Sequence, residues 1–308
     1  MINLLITGAC GFLGTHVSNL MACDQRVDGL FLVDNIEPTC GGRDDASRVR
    51  CSVDVTDHDA LTSFMGGNGI THVIHLAALG RNLNCQGWPL RAWEVNLMGT
   101  VNVLEASRLL NLTRVVTCSS NITLCPDMTT YKATKLAAEL AVLAYQRYGL
   151  SCQALRPSNI HGSGQSSTEF QPCAFAGLNA SYKQNGCFSI TGDGSQTRDF
   201  VHADDVARAF QLALFSTHCG PALDIATGEM TSMNALASML GVPVTYLPSR
   251  PGDALAIVSD PQPAKAALGF TAMIPLRSSI WDSFPDVPRM GNALDWADDH
   301  WEMPKAKR

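Results

Sequence analysis

Short apolar runs alternate along this chain with longer stretches whose apolar positions recur every three or four residues, the patterns of strands and helices taken in turn. Ile2 to Thr7 is the first apolar run. The turn Gly8-Ala9-Cys10-Gly11-Phe12-Leu13-Gly14 ends it, and a helical pattern follows from Thr15 to Ala22. Leu30 to Val33 predicts a second strand closing on Asp34, and Val49 to Val53 a third closing on Asp54-Val55. Thr56 or Asp57 then caps a helix that runs through Met65 and breaks at Gly66-Gly67-Asn68-Gly69. His72 to Leu76 reads as a fourth strand entering the small residues Ala77-Ala78-Leu79-Gly80, and Trp88 to Leu110 as one long helix. Arg114 to Cys118 and Ser151 to Leu155 are the fifth and sixth strands. Between them a helix starts at Thr129-Thr130-Tyr131-Lys132-Ala133-Thr134-Lys135, with Thr129 or Thr130 placed to cap it.

This order predicts an α/β fold, a doubly wound parallel Rossmann sheet with a smaller α/β substrate-binding domain. The expected boundaries are 1–160 for the dinucleotide-binding domain and 161–285 for the smaller one. Residues 200–216 are expected to pack back on the first domain, and 286–308 to form a polar tail. In the second half the pattern predicts helices over Glu169 to Gln184, from Asp204-Asp205 through Phe215, over Thr231 to Leu240 and over Asp260 to Leu268. The runs Cys187 to Thr191, Ala222 to Ala226 and Val244 to Leu247 read as strands of the smaller unit.

Composition narrows the function. With 308 residues, 46% hydrophobic and 16% charged, the chain is that of a globular protein with one large or two modest cores. A net charge of −6 without a basic block argues against a nucleic-acid surface and leaves small molecules as partners. No apolar run approaches the roughly 20 residues of a membrane span, and Met1 leads straight into a strand pattern, so a cytoplasmic protein without membrane contact is expected. The 11 cysteines show neither CxxC nor a Cys/His spacing that suits zinc, so they read as reduced thiols and no metal is expected.

In such a sheet ligands sit beyond the carboxyl ends of the strands, where Gly8, Asp34, Asp54, Ala77, Ser120 and Asn159 all fall. Glycines at 8, 11 and 14 between a strand and a helix allow a tight turn, close approach to a pyrophosphate and close helix–strand packing, while the helix N-terminus offers free N–H groups. About 20 residues on, the Asp34 carboxylate accepts from both hydroxyls of an adenosine ribose and repels a 2′-phosphate, which favours NAD over NADP. Tyr131 and Lys135, four apart on a helix, share one face, and an ammonium beside a phenol favours the phenolate. The pair is a proton shuttle in search of a substrate.

Several stretches together resemble the extended short-chain dehydrogenase/reductases, and within them the nucleotide-sugar epimerases. They are TGACGFLG (7 to 14), VDN (33 to 35), DV (54 and 55), HLAA (75 to 78), NLMGTVNVLEA (96 to 106), SS (119 and 120), YKATK (131 to 135), RPSNIHGSGQ (156 to 165), GDGSQTRDFVHADDVA (192 to 207), RPGD (250 to 253) and KAALGF (265 to 270). The resemblance implies that Gly8, Gly11, Phe12, Leu13 and Gly14 hold the pyrophosphate of NAD, Asp34 and Asn35 its adenosine ribose, and Asp54 and Val55 its adenine. It places Leu76, Ala77, Ala78 and Asn96 among the cofactor contacts and gives Lys135 the nicotinamide ribose. Tyr131 is then the acid/base and Ser120 a hydroxyl on the reacting sugar oxygen. Asn159, Arg198, Arg250 and Asp253 match positions that grip the nucleotide diphosphate, where arginine's planar fork suits phosphate oxygens. The implied reaction is 4-epimerisation of a nucleotide sugar, a UDP-hexose first among candidates, through a transient 4-keto sugar with NAD regenerated in each cycle. Relatives commonly dimerise through the two long helices, here about 88 to 110 and 129 to 148.

The chain also departs from that pattern. The segment between the serine pair and Tyr131 is short, which reshapes the sugar pocket and leaves Ser119, Thr123 and Thr130 as alternatives to Ser120. His161 stands where relatives usually carry Tyr. A 4,6-dehydratase of the family wants Asp-Glu directly after the active-site hydroxyl, where Asn121-Ile122 stands here, and a ketoreductase more often uses NADPH. A regulator that senses the dinucleotide without chemistry would have no use for Tyr131 and Lys135.

Overall fold

The computed structural model describes residues 1–35, 48–165, 174–249 and 255–289, so Arg250 and Asp253 lie outside the described residues. Strand β1 (Asn3–Thr7) leads into helix α1 (Phe12–Met21), followed by β2 (Gly29–Asp34), β3 (Arg48–Ser52), α2 (His58–Gly67) and β4 (His72–His75). Next come α3 (Asn82–Gly87), α4 (Pro89–Ala92), a π-helical segment (Trp93–Met98), α5 (Gly99–Leu109), β5 (Arg114–Cys118), α6 (Thr130–Arg147) and β6 (Cys152–Pro157). The second half holds β7 (Asn159–His161), α7 (Ala174–Asn185), β8 (Phe188–Thr191), β9 (Thr197–His202), α8 (Ala203–Leu214), β10 (Leu223–Ile225) and β11 (Met230–Ser232). It continues with α9 (Met233–Leu240), β12 (Val244–Leu247), α10 (Gln262–Leu268) and α11 (Leu276–Ser279).

Seven strands form one parallel sheet in the order β10-β6-β5-β4-β1-β2-β3. Successive residues of β1 point to opposite faces. Leu4 and Ile6 pack with α1, α8 and α10, whereas Leu5 packs with α2, α5 and α6. Both faces are therefore buried, which is why these strands read as apolar runs and not as alternation. Full burial of each Leu or Ile contributes about 1.5–3 kcal/mol. Winding reverses between β1 and β4, so their carboxyl ends splay and leave the crevice in which ligands of this fold bind.

Beyond β6 the strands run three or four residues, apart from the six of β9. β7, β9 and β11 form a three-stranded sheet and β8 pairs with β12, around a core that includes Phe175, Phe188, Phe200 and Phe284. α8 packs on α1 and on β4, β5 and β6. β10, read there as part of the smaller unit, instead pairs with β6 as the edge strand of the large sheet. The chain thus returns to the large sheet after the first strands of the smaller region.

The expected helix from Trp88 to Leu110 forms as one helical run from Pro89 to Leu109 with a π-helical stretch at Trp93–Met98, and Trp88 caps it. Trp88, the residue before Pro89, takes φ −133° and ψ 62°, outside the helical region that a following proline disfavours. Past Pro89 the ladder widens into the π turn at Trp93–Met98 before α5 resumes. Among the described residues no helix is long and apolar enough to cross a membrane, and no group of His, Cys, Asp or Glu is arranged to hold a metal ion.

Candidate active site

A cavity of about 280 Å³ opens at the reversal of winding, lined by residues that include Gly8, Gly11, Asp34, Asn35, Asp54, Val55, Leu76, Ala77 and Ala78. Gly8 sits at φ +69°, and a Cβ there would lie 2.6 Å from the Ala77 nitrogen. At Gly14 a Cβ would lie 2.1 Å from the Gly8 carbonyl oxygen, so α1 can approach the turn this closely only without a side chain. Phe12, Leu13 and Gly14 form the first turn of α1, and among the described residues no side chain caps that helix. Its leading N–H groups and the helix dipole are left for an anion. Asp34 is oriented by the N–H groups of Cys10 and Asn35, each 2.9 Å from one of its oxygens, and each oxygen keeps a lone pair for a hydroxyl.

Behind the Ala77-Ala78 wall runs a buried polar chain. The single proton of the Thr100 hydroxyl goes to the Asn96 carbonyl at 2.8 Å, so Thr100 accepts from His75 Nε2–H at 3.1 Å. The free Nδ1 of His75 then accepts from Thr7 Oγ1 at 2.7 Å, and Thr7 accepts the Ala77 N–H at 3.3 Å. Burial first, and Lys135 second, push His75 down to about 3, so it is neutral as this tautomer requires. Asn96 is 1% exposed. Its Oδ1 accepts the Leu79 N–H at 2.7 Å, while Nδ2 donates to the Leu79 carbonyl and to Thr134 Oγ1, both at 3.1 Å. The sequence reading puts Asn96 on the cofactor; the structure has it pinning the backbone just past Ala78 and, through Thr134, the helix of Tyr131.

That helix is capped by Thr129, whose Oγ1 accepts from Lys132 N at 3.2 Å and donates to Asn82 Oδ1 at 2.6 Å. The second bond fastens the start of α6 to the segment after β4. Arg81, just before Asn82, takes φ 76°, a left-handed conformation that costs a side-chain-bearing residue about 1–2 kcal/mol. Tyr131 and Lys135 lie one helical turn apart, and Lys135 Nζ donates to the Cys118 carbonyl at 2.8 Å at the end of β5. Ser120 Oγ accepts the Ile122 N–H at 3.3 Å, which leaves its own proton uncommitted, and Ser120 lies near enough to the Tyr131 phenol to oppose the rise of its pKa. Of the alternatives, Ser119 donates to the buried Glu139 carboxylate and Thr123 to the Ser120 carbonyl, so both of these hydroxyls are committed elsewhere, whereas Thr130 stands at the start of α6 beside Tyr131.

Electrostatics here differ from the expectation of a phenol brought down by Lys135. Burial pushes Tyr131 well above its ordinary range, Cys118 adds to the rise, and Ser120 and Arg81 oppose it. Burial also lowers Lys135. Desolvation is the largest cause for both groups, and neither is among the main causes of the other's shift.

On the far side, Asn159 pairs with Phe200 across β7 and β9, and Arg198 stands two residues before Phe200. Arg198 Nη1 donates to the Thr197 carbonyl at 2.7 Å and to the Leu255 carbonyl at 3.5 Å, which ties it to the segment that follows Arg250 and Asp253 in sequence. Its neighbour Asp199, 1% exposed, accepts from Ser158, Thr227 and Gly228 and fastens β9 to the loops after β6 and β10.

Three comparisons bear on this geometry. A family model for the NAD dependent epimerase/dehydratase family matches residues 4–225, more than half of the chain. The chain belongs to this family. This epimerase/dehydratase-family protein is 30% identical over 305 residues to a UDP-glucose 4-epimerase of Mycolicibacterium smegmatis, with 90% of the chain and 95% of the relative covered. It is 29% identical over 312 residues to a dTDP-4-dehydro-6-deoxy-D-allose reductase of a Streptomyces species, covering 87% of the chain and 94% of the relative. Among solved structures it is similar to MoeE5 in complex with UDP-glucose and NAD, with a TM-score of 0.78 at 30% identity, covering 92% of this chain and 97% of that one.

The cofactor of this family member is NAD. The residues present fit it. The cradle at Gly8 and Gly14 admits a pyrophosphate where a Cβ would collide, and Asp34 holds a carboxylate at the end of β2. The cavity also names contacts that sequence reasoning missed, among them Cys10, Val33, Val53, Arg91 and Val95. Arg91 and Val95 carried one available signal: they are four residues apart on the helical face that leads into Asn96.

Proposed function

We propose that the protein interconverts a UDP-hexose and its 4-epimer, with Tyr131 as the acid/base, Ser120 as the hydroxyl on the reacting sugar oxygen and Lys135 as the cation beside them. The observation that carries this reading is the convergence of all three at the end of β5, beside the wall after β4 that borders the dinucleotide cavity. When bound, NAD supplies a carbon that takes a hydride from the sugar and gives it back. Tyr131 accepts the proton of the sugar's C4 hydroxyl and returns it after the 4-keto sugar has turned. Ser120 passes its hydrogen bond between the phenol oxygen and that sugar oxygen. Because burial raises the phenol, proton removal depends on the positive charges facing it, of which Arg81 is one. The wall that excludes water strengthens these interactions.

Asn159 and Arg198 are assigned to the nucleotide diphosphate together with Arg250 and Asp253, and the region 161–285 is assigned to the substrate. Exposed Leu90 on α4, Trp93 on the π-helical segment and Leu140 on α6 support a homodimer through those helices, which light scattering in solution tests. A dehydratase is disfavoured because Asn121-Ile122 brings no carboxyl group next to Ser120. A ketoreductase is the second reading, supported by the likeness to the Streptomyces reductase and opposed by Asp34, which repels a 2′-phosphate. Incubation with a panel of nucleotide sugars, followed by separation of products, tests the assignment. Interconversion of a 4-epimer pair without added reductant is expected, and turnover seen only with added NADPH would replace it with the reductase.

A further inference from the structure

Arg91 is the one cation lining the dinucleotide cavity among the described residues. Its Nη2 donates to Asp54 Oδ2 at 2.8 Å, and its Nη1 reaches Glu94 Oε2 at 3.4 Å and Thr56 Oγ1 at 3.5 Å. The other Asp54 oxygen is taken by the Thr56 N–H at 2.9 Å and hydroxyl at 2.8 Å. The carboxylate where the third strand ends is thus fixed by Thr56 and spends its second oxygen on the guanidinium. Hydrogen bonds of a guanidinium lie in its plane and leave its two faces unspent. Val33, Val53 and Val55 also line the cavity, with Val95 one helical turn beyond Arg91. A flat, electron-rich ring that enters a cavity lined by valines and one guanidinium is held by apolar contact and by the guanidinium face without a single directional bond to its edge.

We propose that Arg91 is the adenine clamp of this protein, its guanidinium stacking on the purine while Asp54 acts as the tether that holds it there. The proposal rests on reading the cavity as the dinucleotide site. It gives Asp54 a different task from contacting the adenine itself, and it gives the first turn of the helix that starts at Pro89 a role in carrying Arg91 to the cavity lining.

The test is a set of dissociation constants, measured by titration calorimetry on the full-length protein, for NAD, ADP-ribose, AMP and nicotinamide mononucleotide. In Arg91→Ala the first three are expected to weaken by about tenfold and the mononucleotide to bind as in wild type, the loss being that of one desolvated cation–π contact. Arg91→Lys should recover little, because an ammonium has no plane to lay on the ring, whereas Arg91→Gln, with a planar amide that still reaches Asp54, should recover part. Arg91→Gln also serves if the alanine variant does not fold. AMP affinity unchanged in both Arg91→Ala and Arg91→Gln overturns the clamp, and so does an equal loss for AMP and nicotinamide mononucleotide, which would mark Arg91 as scaffold. Failure of the wild-type protein to bind ADP-ribose would instead overturn the reading of the cavity, and the clamp with it.

Discussion

Replacing Asn96 with Leu removes the amide that joins the wall after β4 to helix α6, at a side chain that is itself 1% exposed. Three hydrogen bonds at 2.7, 3.1 and 3.1 Å are lost, together with a longer one to Cys85 Sγ at 3.9 Å. An unpaired buried polar group costs about 1–3 kcal/mol, and here the Leu79 N–H, the Leu79 carbonyl and the Thr134 hydroxyl all lose a partner. Leu79 is half-buried and Thr134 keeps its bond to the Tyr131 carbonyl, so the low end of each range applies. The sum is about 2–4 kcal/mol, which urea unfolding resolves and which lowers the melting temperature by roughly 5–10 °C. The same change frees the peptide next to Ala78, and a misplacement of about 1 Å there costs on the order of 10²-fold in turnover. The assay is therefore paired: unfolding by urea, and kcat on the substrate found by the product panel. A variant within 0.5 kcal/mol of wild type, or a destabilised one that turns over normally, would refute the role given to this network.

Tyr131→Phe should lower kcat by about 10²–10⁴-fold while NAD affinity by titration stays within about twofold; near-normal turnover would remove Tyr131 from the chemistry. Asp34→Ala should weaken NAD more than NADP, and equal losses would show that its carboxylate does not read the ribose. His75 and His161 are both held down to about 3 chiefly by burial, against an ordinary 6.5. The unfolded chain therefore binds protons first as pH falls, so the stability both contribute is complete above about 6.5 and is lost between 6.5 and 3. His161→Phe, which keeps a ring against Phe175, should flatten the fall in urea midpoint between pH 7 and pH 5; an unchanged slope would mean that His161 takes no part in it.

The sheet was legible because strands buried on both faces read as continuous apolar runs, and because glycines mark the turns where a side chain cannot fit. Gly8, Asp34, Ala77, Ser120, Tyr131 and Lys135 could all be placed by asking which residues fall at strand ends or share a helix face. What the sequence hid depends on the third dimension. The π turn at Trp93–Met98 lies in a stretch whose apolar spacing continues through it. The edge strand β10 is three residues long, too short to declare which sheet it joins. Asn96 looked like a cofactor contact and instead holds the wall, since a helical position does not tell which side of a backbone its amide meets. The raised Tyr131 phenol was missed for a related reason: spacing shows that a lysine is near, but not that burial outweighs it.

The central claim, a hydride that leaves the sugar and returns to the same molecule, is tested most directly with a substrate of the product panel carrying deuterium at C4. After conversion in ordinary water without added reductant, mass spectrometry of the separated epimer should find the deuterium retained at C4. Loss of the label to solvent, or its transfer to added NADP, would contradict the account.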